Sequence, residues 1–535
     1  MVCDLTVIRI DAFWCPKTMT QFRQFNLQNM AALTSHLLLN LLWMTSLCVG
    51  LSENACPNSC RCLLSRNIVD CTGALLHGIP YDLPQPASLL ELILKRSSLQ
   101  TITSEVGPYD SLVRLDLSFN EIQSIRPRVF FNLRRLEYLN LQNNHLANIE
   151  SDIFLQQNST LLDLDLSFNE ISAIVAGAFD RLSRLGSLDL SHNQLSSISS
   201  HVFVGLTSLR RLDVSHNKLT QLDGDAFVNV RTLRHLSLSY NRISDVKNRT
   251  FSTLIELVSL DLANNEFSRL PEFVACTENG RVAVLTELTL KSNRLAHVPS
   301  KTFKHLPALM RLDLSDNLFT EIEADSFSGL FNLEELTINN CARLEVVRNY
   351  ALSGLHRLKT LNLAHNDRLA SLHSNALDSC NALRSLNVQG NTLTSVAAGL
   401  TNWVELSDVN LSNNHWTCNC DLFFLVAILR AKREELQLQA KVDENDEASL
   451  DPETTEAIFN INRVLCEAPE QLQGKAVADL TTSDFAHEHC PEAEVVPHTP
   501  ADTSTQFSSK VMVAIIFIFA GLSLNLLSSK RRFIL

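Results

Sequence analysis

LVRLDLSFNEI, which spans Leu112–Ile122, recurs with small changes along most of this 535-residue chain. The shared pattern is LxxLxLxxNxL, and most neighbouring copies start 24 residues apart. Clear copies start at Leu112, Leu136, Leu161, Leu185, Leu209, Leu233, Leu257, Leu285, Leu309, Leu333, Leu358, Leu383 and Leu406. A weaker copy starts at Leu89 with Ser97 in the Asn position, which makes fourteen copies. A period this regular predicts one stack of similar units.

Each copy is predicted to form a short strand followed by a sharp turn. In the LxL part the two leucines point inward and the residue between them points out. The Asn of each copy turns the chain, and stacked Asn amides can bond backbone groups as a ladder. A Phe lies six residues before most copies, and these rings are predicted to fill the convex side of the core: Phe130, Phe179, Phe203, Phe227, Phe251, Phe303 and Phe327.

The repeat resembles the leucine-rich repeat family, and its 24-residue period is similar to the extracellular "typical" subclass. The resemblance covers about Cys56 to Cys490. It implies an α/β repeat solenoid, a leucine-rich repeat horseshoe with a concave parallel β-sheet and disulfide caps. Fourteen strands spaced about 4.8 Å apart make a sheet roughly 65 Å long.

Three copies depart from the pattern, so their loops are expected to differ. Cys341 takes an Asn position, and Asn366 is followed by Leu369 rather than by an apolar residue two positions on. The single 28-residue copy carries ACTENGR, at 275–281, which is predicted to form a small protruding loop.

Eight of the 14 cysteines flank the repeats in two clusters: Cys56, Cys60, Cys62 and Cys71 before them, and Cys418, Cys420, Cys466 and Cys490 after them. A stack of repeats exposes its apolar core at both ends, so covers are expected there. The resemblance implies the pairs Cys56–Cys62, Cys60–Cys71, Cys418–Cys466 and Cys420–Cys490. Four cysteines allow three connectivities, and the sequence does not select one. Zinc binding is the competing interpretation of each cluster.

Three further cysteines lie within the repeats, and one segment of the C-terminal cap is acidic. Cys341 and Cys380 are predicted to be buried thiols, whereas Cys276 lies in the inserted loop. Between Cys420 and Cys466 the chain is acidic at 441–457, which is predicted to be an exposed loop.

The two ends of the chain predict export and anchoring. An apolar core at Leu37–Leu51 is as long as a signal-peptide core, with cleavage expected between Gly50 and Asn54; an uncleaved anchor is the alternative. The uncharged Val511–Leu527 fits a membrane span followed by a short basic tail, or else a lipid-anchor signal. Both alternatives place the protein on the extracellular face of the plasma membrane.

The expected domain organisation follows from these features. It consists of an extension and signal peptide at 1–52, an N-terminal cysteine cap at 53–87, repeats at 88–415, a C-terminal cysteine cap at 416–490, a stalk at 491–510, the span or lipid-anchor signal at 511–527 and a tail at 528–535.

Charge and motifs argue against several functions. Lys plus Arg number 45 against 58 for Asp plus Glu, a net charge of −13, which disfavours binding of nucleic acid by the whole chain. No catalytic motif stands in a credible setting, so neither an enzyme, a cofactor nor a metal site is predicted. The AHEHC segment at 486–490 is interpreted as a cap loop. Recurrent aspartates between the motif leucines are interpreted as structural or contact residues: Asp116, Asp165, Asp189, Asp213, Asp261 and Asp313.

The concave face is the predicted binding surface. Position eight of successive copies carries Phe119, Phe168, His192, His216 and Tyr240, and the residues Arg210, Arg211, Arg234 and His235 add cationic side chains in two neighbouring copies. Aromatic residues and Arg are enriched at the centres of interfaces, although a solvated family-typical turn is the alternative. Glycosylation sequons occur at Asn158, Asn248 and Asn410, the last expected to point out of the concave sheet.

The leading functional hypothesis is a non-enzymatic cell-surface recognition protein. It would bind an extracellular or cell-surface protein, including a second copy of itself, in cell adhesion or neuronal recognition, since cell-surface adhesion proteins of insects and vertebrates have a similar architecture. The alternative is an innate-immune receptor or co-receptor subunit without a signalling domain of its own.

Overall fold

The computed structural model describes residues 56–81, 83–102, 106–154, 160–247, 250–271, 284–300, 302–443 and 452–485. The predicted signal segment, stalk and C-terminal anchor, the loop at 275–281 and Cys276 lie outside these residues. Within the described ranges, no helix combines the length and the apolar character needed to cross a bilayer.

Within the described residues, the repeats and the N-terminal cap together build one long sheet of sixteen strands. Its strands, in spatial order, are β1 (Arg61–Leu63), β2 (Ile68–Asp70), β3 (Glu91–Ile93), β5 (Arg114–Asp116), β7 (Tyr138–Asn140), β9 (Asp163–Asp165), β11 (Ser187–Asp189), β12 (Arg211–Asp213), β14 (His235–Ser237), β16 (Ser259–Asp261), β17 (Glu287–Thr289), β18 (Arg311–Asp313), β20 (Glu335–Thr337), β22 (Thr360–Asn362), β24 (Ser385–Asn387) and β25 (Asp408–Asn410). Fourteen of them are the predicted repeat strands, and all of these pair in parallel. The cap adds the antiparallel hairpin β1–β2, which the sequence analysis did not include.

Within the described residues, the convex side carries two-residue strands and turns. These strands are β4 (Thr101–Ile102), β6 (Ser124–Ile125), β8 (Asn148–Ile149), β10 (Ala173–Ile174), β13 (Gln221–Leu222), β15 (Asp245–Val246), β19 (Glu321–Ile322), β21 (Val346–Val347) and β23 (Ser371–Leu372). Short 3₁₀ turns occur at Leu64–Arg66, Pro86–Ser88, Ser200–Phe203, Ala398–Leu400, Trp403–Glu405, Cys420–Leu422, Glu470–Leu472, Val477–Asp479 and Thr482–Phe485. The two layers enclose the motif leucines in one continuous core.

The predicted phenylalanine spine lies on the convex side of that core. Its rings stack at about one repeat per step, as in the 6.1 Å between the ring centres of Phe203 and Phe227. Phe154, which the six-residue spacing did not identify, joins the spine between Phe130 and Phe179. Because these rings are buried against each other, apart from the partly buried Phe251, they serve the core.

A ladder of buried Asn side chains holds the turns together. The Nδ2 group of Asn193 donates to the carbonyl oxygens of Leu190 and of Leu166 in the preceding repeat, at 3.1 and 3.0 Å. Its Oδ1 atom accepts from the backbone N–H of Ile171, at 2.9 Å. The same pattern recurs at Asn120, Asn144, Asn169, Asn217, Asn241, Asn265, Asn293 and Asn317. Each amide therefore satisfies backbone groups of two repeats that would otherwise be buried without partners.

The irregular copies keep the ladder by small changes. The Cys341 thiol points at the carbonyl oxygens of Leu314 and Asn339, at 3.8 and 3.6 Å, where an amide would otherwise donate. The Oδ1 atom of Asn366 accepts from the N–H of Cys341 itself rather than from a residue two positions on. The donor to the Asn side chain is thus shifted by two residues in this copy.

Disulfide bonds form in both caps. Cys56 pairs with Cys62 and Cys60 with Cys71 in the N-terminal cap, and Cys418 pairs with Cys466 in the C-terminal cap. These are three of the four pairs that the family resemblance implies. Cys420 is also disulfide-bonded, and its expected partner Cys490 lies outside the described residues.

The C-terminal cap corrects one prediction. The acidic segment at 441–457 was expected to be an exposed loop, but its first residues end helix α1 (Phe423–Asp443) and its last residues lie in helix α2 (Pro452–Asn462). The helices contact each other, and α2 also contacts the last strand, β25. Strands β26 (Trp416–Thr417) and β27 (Cys466–Ala468) complete the cap. Because acidic residues are compatible with a helix, charge alone did not identify a loop.

We predict that Asn317→Ala destabilises the protein by about 3 kcal/mol, because it leaves the buried carbonyl of Leu290 and the N–H of Leu295 without partners. Urea unfolding followed by circular dichroism measures the change. The matched control is Asn402→Ala, since Asn402 makes no side-chain cap bond and its loss should change stability by less than about 0.5 kcal/mol. Equal effects of the two substitutions would remove the special role of the ladder.

We predict that Cys341 and Cys380 remain free and unreactive in the folded protein. Burial raises the pKa of each thiol to about 12, so almost no thiolate exists at pH 8. Alkylation with iodoacetamide followed by peptide mapping should label both residues only after unfolding, and should recover the three cap disulfides intact. Rapid labelling of either residue without denaturant contradicts the buried assignment.

Candidate functional site

Position eight of each repeat lies in the turn that follows its concave strand. His192, for example, comes three residues after β11 ends and one residue before the ladder residue Asn193. Its φ is 53°, and Phe119, Phe168, His216 and Tyr240 have φ between 52° and 55°. This left-handed conformation is unfavourable for bulky residues, so the bonded turn on either side of them must hold it. The predicted residues therefore line one edge of the concave sheet rather than its centre.

Four of these side chains form a continuous stack, which we call the ring ladder (Phe168, His192, His216 and Tyr240). The ring centres are 3.9, 3.9 and 4.1 Å apart, and neighbouring planes differ by only 10–11°. The two imidazoles are half-buried between their neighbours, whereas the end rings are exposed, Phe168 by 42% and Tyr240 by 51%. The predicted alignment of this set is thus present for four of its five members.

The fifth predicted ring is separated from the stack. Phe119 lies two repeats before Phe168, and Asn143 occupies the position between them. Two cationic groups cover the Phe119 ring instead: the Lys95 ammonium at 4.7 Å and the Arg96 guanidinium at 5.1 Å from its centre. Such cation–π contacts stabilise by roughly 0.5–1 kcal/mol at exposed sites.

An open groove of about 1040 Å³ runs along this edge and has the ring ladder, Phe119 and Arg96 in its wall. His145 and Glu170 also line it, with 2.8 Å between Nδ1 and Oε1. Burial lowers the pKa of His216, and the neighbouring His192 lowers it further, while Asp213 acts in the opposite direction. The groove therefore presents stacked rings, with cations at its N-terminal end.

The recurrent aspartates stabilise turns. Asp189 accepts from the N–H of Ser191 at 2.8 Å, and the same bond recurs at Asp116, Asp165, Asp213, Asp261 and Asp313. Burial raises the pKa of Asp189 and of Asp163 above the ordinary value. Among the described residues, no three His, Cys, Asp or Glu side chains are grouped so that they could hold a metal ion.

The structure separates the predicted cationic residues from the rings. Arg211 and His235 lie side by side on β12 and β14, and Arg210 and Arg234 directly precede these strands. They lie at the opposite end of the strands from the ring ladder, and none of them lines the groove. Arg234 is paired with Glu256 at 3.2 Å, so the expected patch of free positive charge is smaller than predicted. We call these four residues the arginine strip.

One predicted glycosylation site is not accessible in this fold. Asn410 is only 8% exposed, its Nδ2 group donates to Oε1 of Gln389 at 2.8 Å, and its Oδ1 atom accepts from the hydroxyl of Ser412 at 2.8 Å. The expectation of a glycan on this residue does not hold, because Asn410 is buried and its amide is already bonded, in a strand that α2 contacts. The sequons at Asn158 and Asn248, and the AHEHC segment, lie outside the described residues.

Sequence reasoning missed part of the groove. Arg96 occupies position eight of the weak first copy, directly before Ser97, so the same alignment could have found it. Asn143 also occupies position eight but is not aromatic, and it was passed over for that reason. The ion pair of His145 and Glu170 joins neighbouring repeats at position ten, a lane that was not considered.

Comparisons with known proteins agree with this architecture. Mouse Tsukushi is 40% identical over 89 residues, which cover 16% of this chain and 25% of that protein. Tsukushi-A of Xenopus laevis is 35% identical over 127 residues, 22% of this chain and 35% of the relative. This chain thus spans only a quarter to about a third of the length of these relatives.

A solved structure shows the same fold over a longer range. A chain in the structure of the Drosophila Toll–Spatzle complex aligns with 75% of this chain and 61% of its own length, with a TM-score of 0.52 and 19% identity. The model of the leucine rich repeat family matches residues 87–146, 159–219, 207–267, 283–342 and 331–393, more than half of the chain. The chain therefore belongs to the leucine rich repeat family.

Proposed function

We propose that this protein is a non-enzymatic recognition protein that acts at the cell surface and binds another protein through the groove beside its ring ladder. The observation that carries the proposal is the stack of four rings, whose ends are exposed and whose faces are fixed by their neighbours. A role in cell adhesion or neuronal recognition is the finer form of this proposal.

The rings of the ring ladder are preorganised for binding. Aromatic side chains supply most of the binding energy at many interfaces, and ordering them on binding normally costs about 0.5–1.5 kcal/mol per side chain. The rings of the ring ladder are already ordered, because they stack on one another and because the bonded turns hold their backbone in place. A partner that contacts them therefore gains apolar burial with little further loss of side-chain entropy.

An extracellular location is supported by the caps. Two disulfides in the N-terminal cap and one in the C-terminal cap are typical of proteins that fold in an oxidising compartment. The apolar segment at 511–527 is proposed to hold the protein on the membrane, as a span or through a lipid.

A binding screen tests the proposal directly. The probe is the soluble chain from about residue 54 to 506, and the targets are cell-surface proteins, the chain itself and microbial surfaces. We expect binding to a cell-surface protein or to a second copy. Binding to a microbial surface alone would instead favour the innate-immune alternative, and catalytic turnover of any target would overturn the non-enzymatic assignment.

We predict that Tyr240→Asn weakens binding of the identified partner by at least about tenfold. Asn is chosen because Asn143 and Asn264 hold this same lane position at nearly the same φ, so the backbone is not strained. Surface plasmon resonance measures the dissociation constant, and circular dichroism checks folding.

The control for this variant is Phe331→Asn, which removes an aromatic ring of 59% exposure away from the groove and should leave binding unchanged. If Tyr240→Asn binds normally while Arg211→Glu abolishes binding, the contact lies at the arginine strip and the groove is the wrong surface.

A further inference from the structure

The lane of position-eight side chains is interrupted at one place. In chain order it reads Arg96, Phe119, Asn143 and Phe168, followed by the remaining rings of the ladder. Arg96 covers one face of Phe119, and His192 covers one face of Phe168. The other faces of Phe119 and Phe168 look towards each other across Asn143, where no ring stands.

The width of this interruption matches one planar group. Rings in the ladder are 3.9–4.1 Å apart per repeat, so two repeats separate Phe119 and Phe168 by roughly 8 Å, or up to about 10 Å at the ordinary strand spacing. A ring inserted midway would meet each wall at about 4 Å, the separation at which carbon atoms attract best.

The residue at the base of the interruption, Asn143, is polar and its side chain is available for a hydrogen bond. The Asn143 backbone N–H donates to the carbonyl oxygen of Ser167 at 3.0 Å, which fixes the turn. Its half-buried side chain makes no hydrogen bond with the described residues. The amide can therefore bond the polar edge of an inserted ring, such as a phenol hydroxyl.

The charge around this position favours an acidic partner. Lys95 and Arg96 both cover the Phe119 ring beside it, and neither forms an ion pair within the described part of the chain. Nearby carboxylates are engaged, since Glu170 is paired with His145 and Asp116 accepts from the N–H of Ser118.

We propose that the space between Phe119 and Phe168 above Asn143 is a slot for an aromatic side chain, specifically a tyrosine, carried by an acidic segment of the protein partner. The ring stacks between the two phenylalanines, its hydroxyl bonds the Asn143 amide, and the flanking carboxylates pair with Lys95 and Arg96. This assignment deepens the proposed function and rests on it for the identity of the partner as a protein.

The probe is a short peptide with one tyrosine between acidic residues, acetyl-Asp-Glu-Asp-Tyr-Glu-Asp-amide, titrated into the soluble chain. A second peptide replaces the tyrosine by leucine. We expect the tyrosine peptide to bind about tenfold more tightly by calorimetry, and its ring protons to shift upfield in NMR spectra because they lie between two aromatic faces.

A variant of the protein can fill the slot with its own ring. Asn143→Phe places an aromatic residue at a lane position whose φ of 53° is already shared by Phe119 and Phe168. Its matched control is Asn264→Phe, at φ 54° beyond Tyr240, which lengthens the other end of the stack and leaves the slot open. We expect at least a tenfold loss of peptide binding for the first and less than a twofold change for the second.

A second variant keeps the test valid if Asn143→Phe fails to fold. Arg96→Glu reverses the charge over the outer face of Phe119, one wall of the slot. It should weaken binding of the acidic peptide by at least about tenfold at low salt, with less effect at high salt. Equal affinity for the tyrosine and leucine peptides, no binding of either peptide, or unchanged binding by Asn143→Phe would each overturn the slot.

The failure of the slot and the failure of the proposed function give different results. A partner from the binding screen that binds Asn143→Phe normally leaves the recognition function standing and removes the slot. A single-stranded oligonucleotide serves as the competing planar probe. If it occupies the slot more tightly than the acidic peptide, the assignment to a protein partner is wrong.

Discussion

The hydrogen bonds of the buried Asn ladder are the constraint on which the rest of this structure depends. Each amide bonds backbone groups of its own repeat and of the one before it, so neighbouring turns are held in a fixed relation. The residue directly before each Asn then has a left-handed backbone conformation. Its side chain projects at the edge of the concave sheet, and the next repeat places its own counterpart one step along.

Because each repeat places its position-eight side chain one step further along, these side chains form a line on the surface. A ring that would be mobile on an ordinary loop is stacked between two others, as His192 is between Phe168 and His216. The same regularity gives meaning to an exception. Asn143 carries no ring, so the line of position-eight side chains has the space of one ring between Phe119 and Phe168.

The predictions from sequence that failed considered each side chain without the residues that surround it in the fold. Asn410 carries a sequon, but it is buried and its amide is bonded to Gln389 and Ser412. Arg234 was counted as free charge, although Glu256, from the next turn of the solenoid, lies against it. The acidic segment at 441–457 was interpreted from composition, and composition does not separate a charged helix from a charged loop.

The sequence by itself determined the solenoid, its fourteen repeat strands and the core, and the family resemblance implied the three cap pairs found in the described residues. It could do so because leucine spacing and the Asn turn act within one repeat and are copied along the chain. Only the tertiary structure decided that the rings and the arginines lie at opposite ends of the strands, that Arg96 covers Phe119, and that Asn143 leaves a gap. Those facts depend on distances between side chains of different repeats, which are set by packing and by the bonds between neighbouring turns.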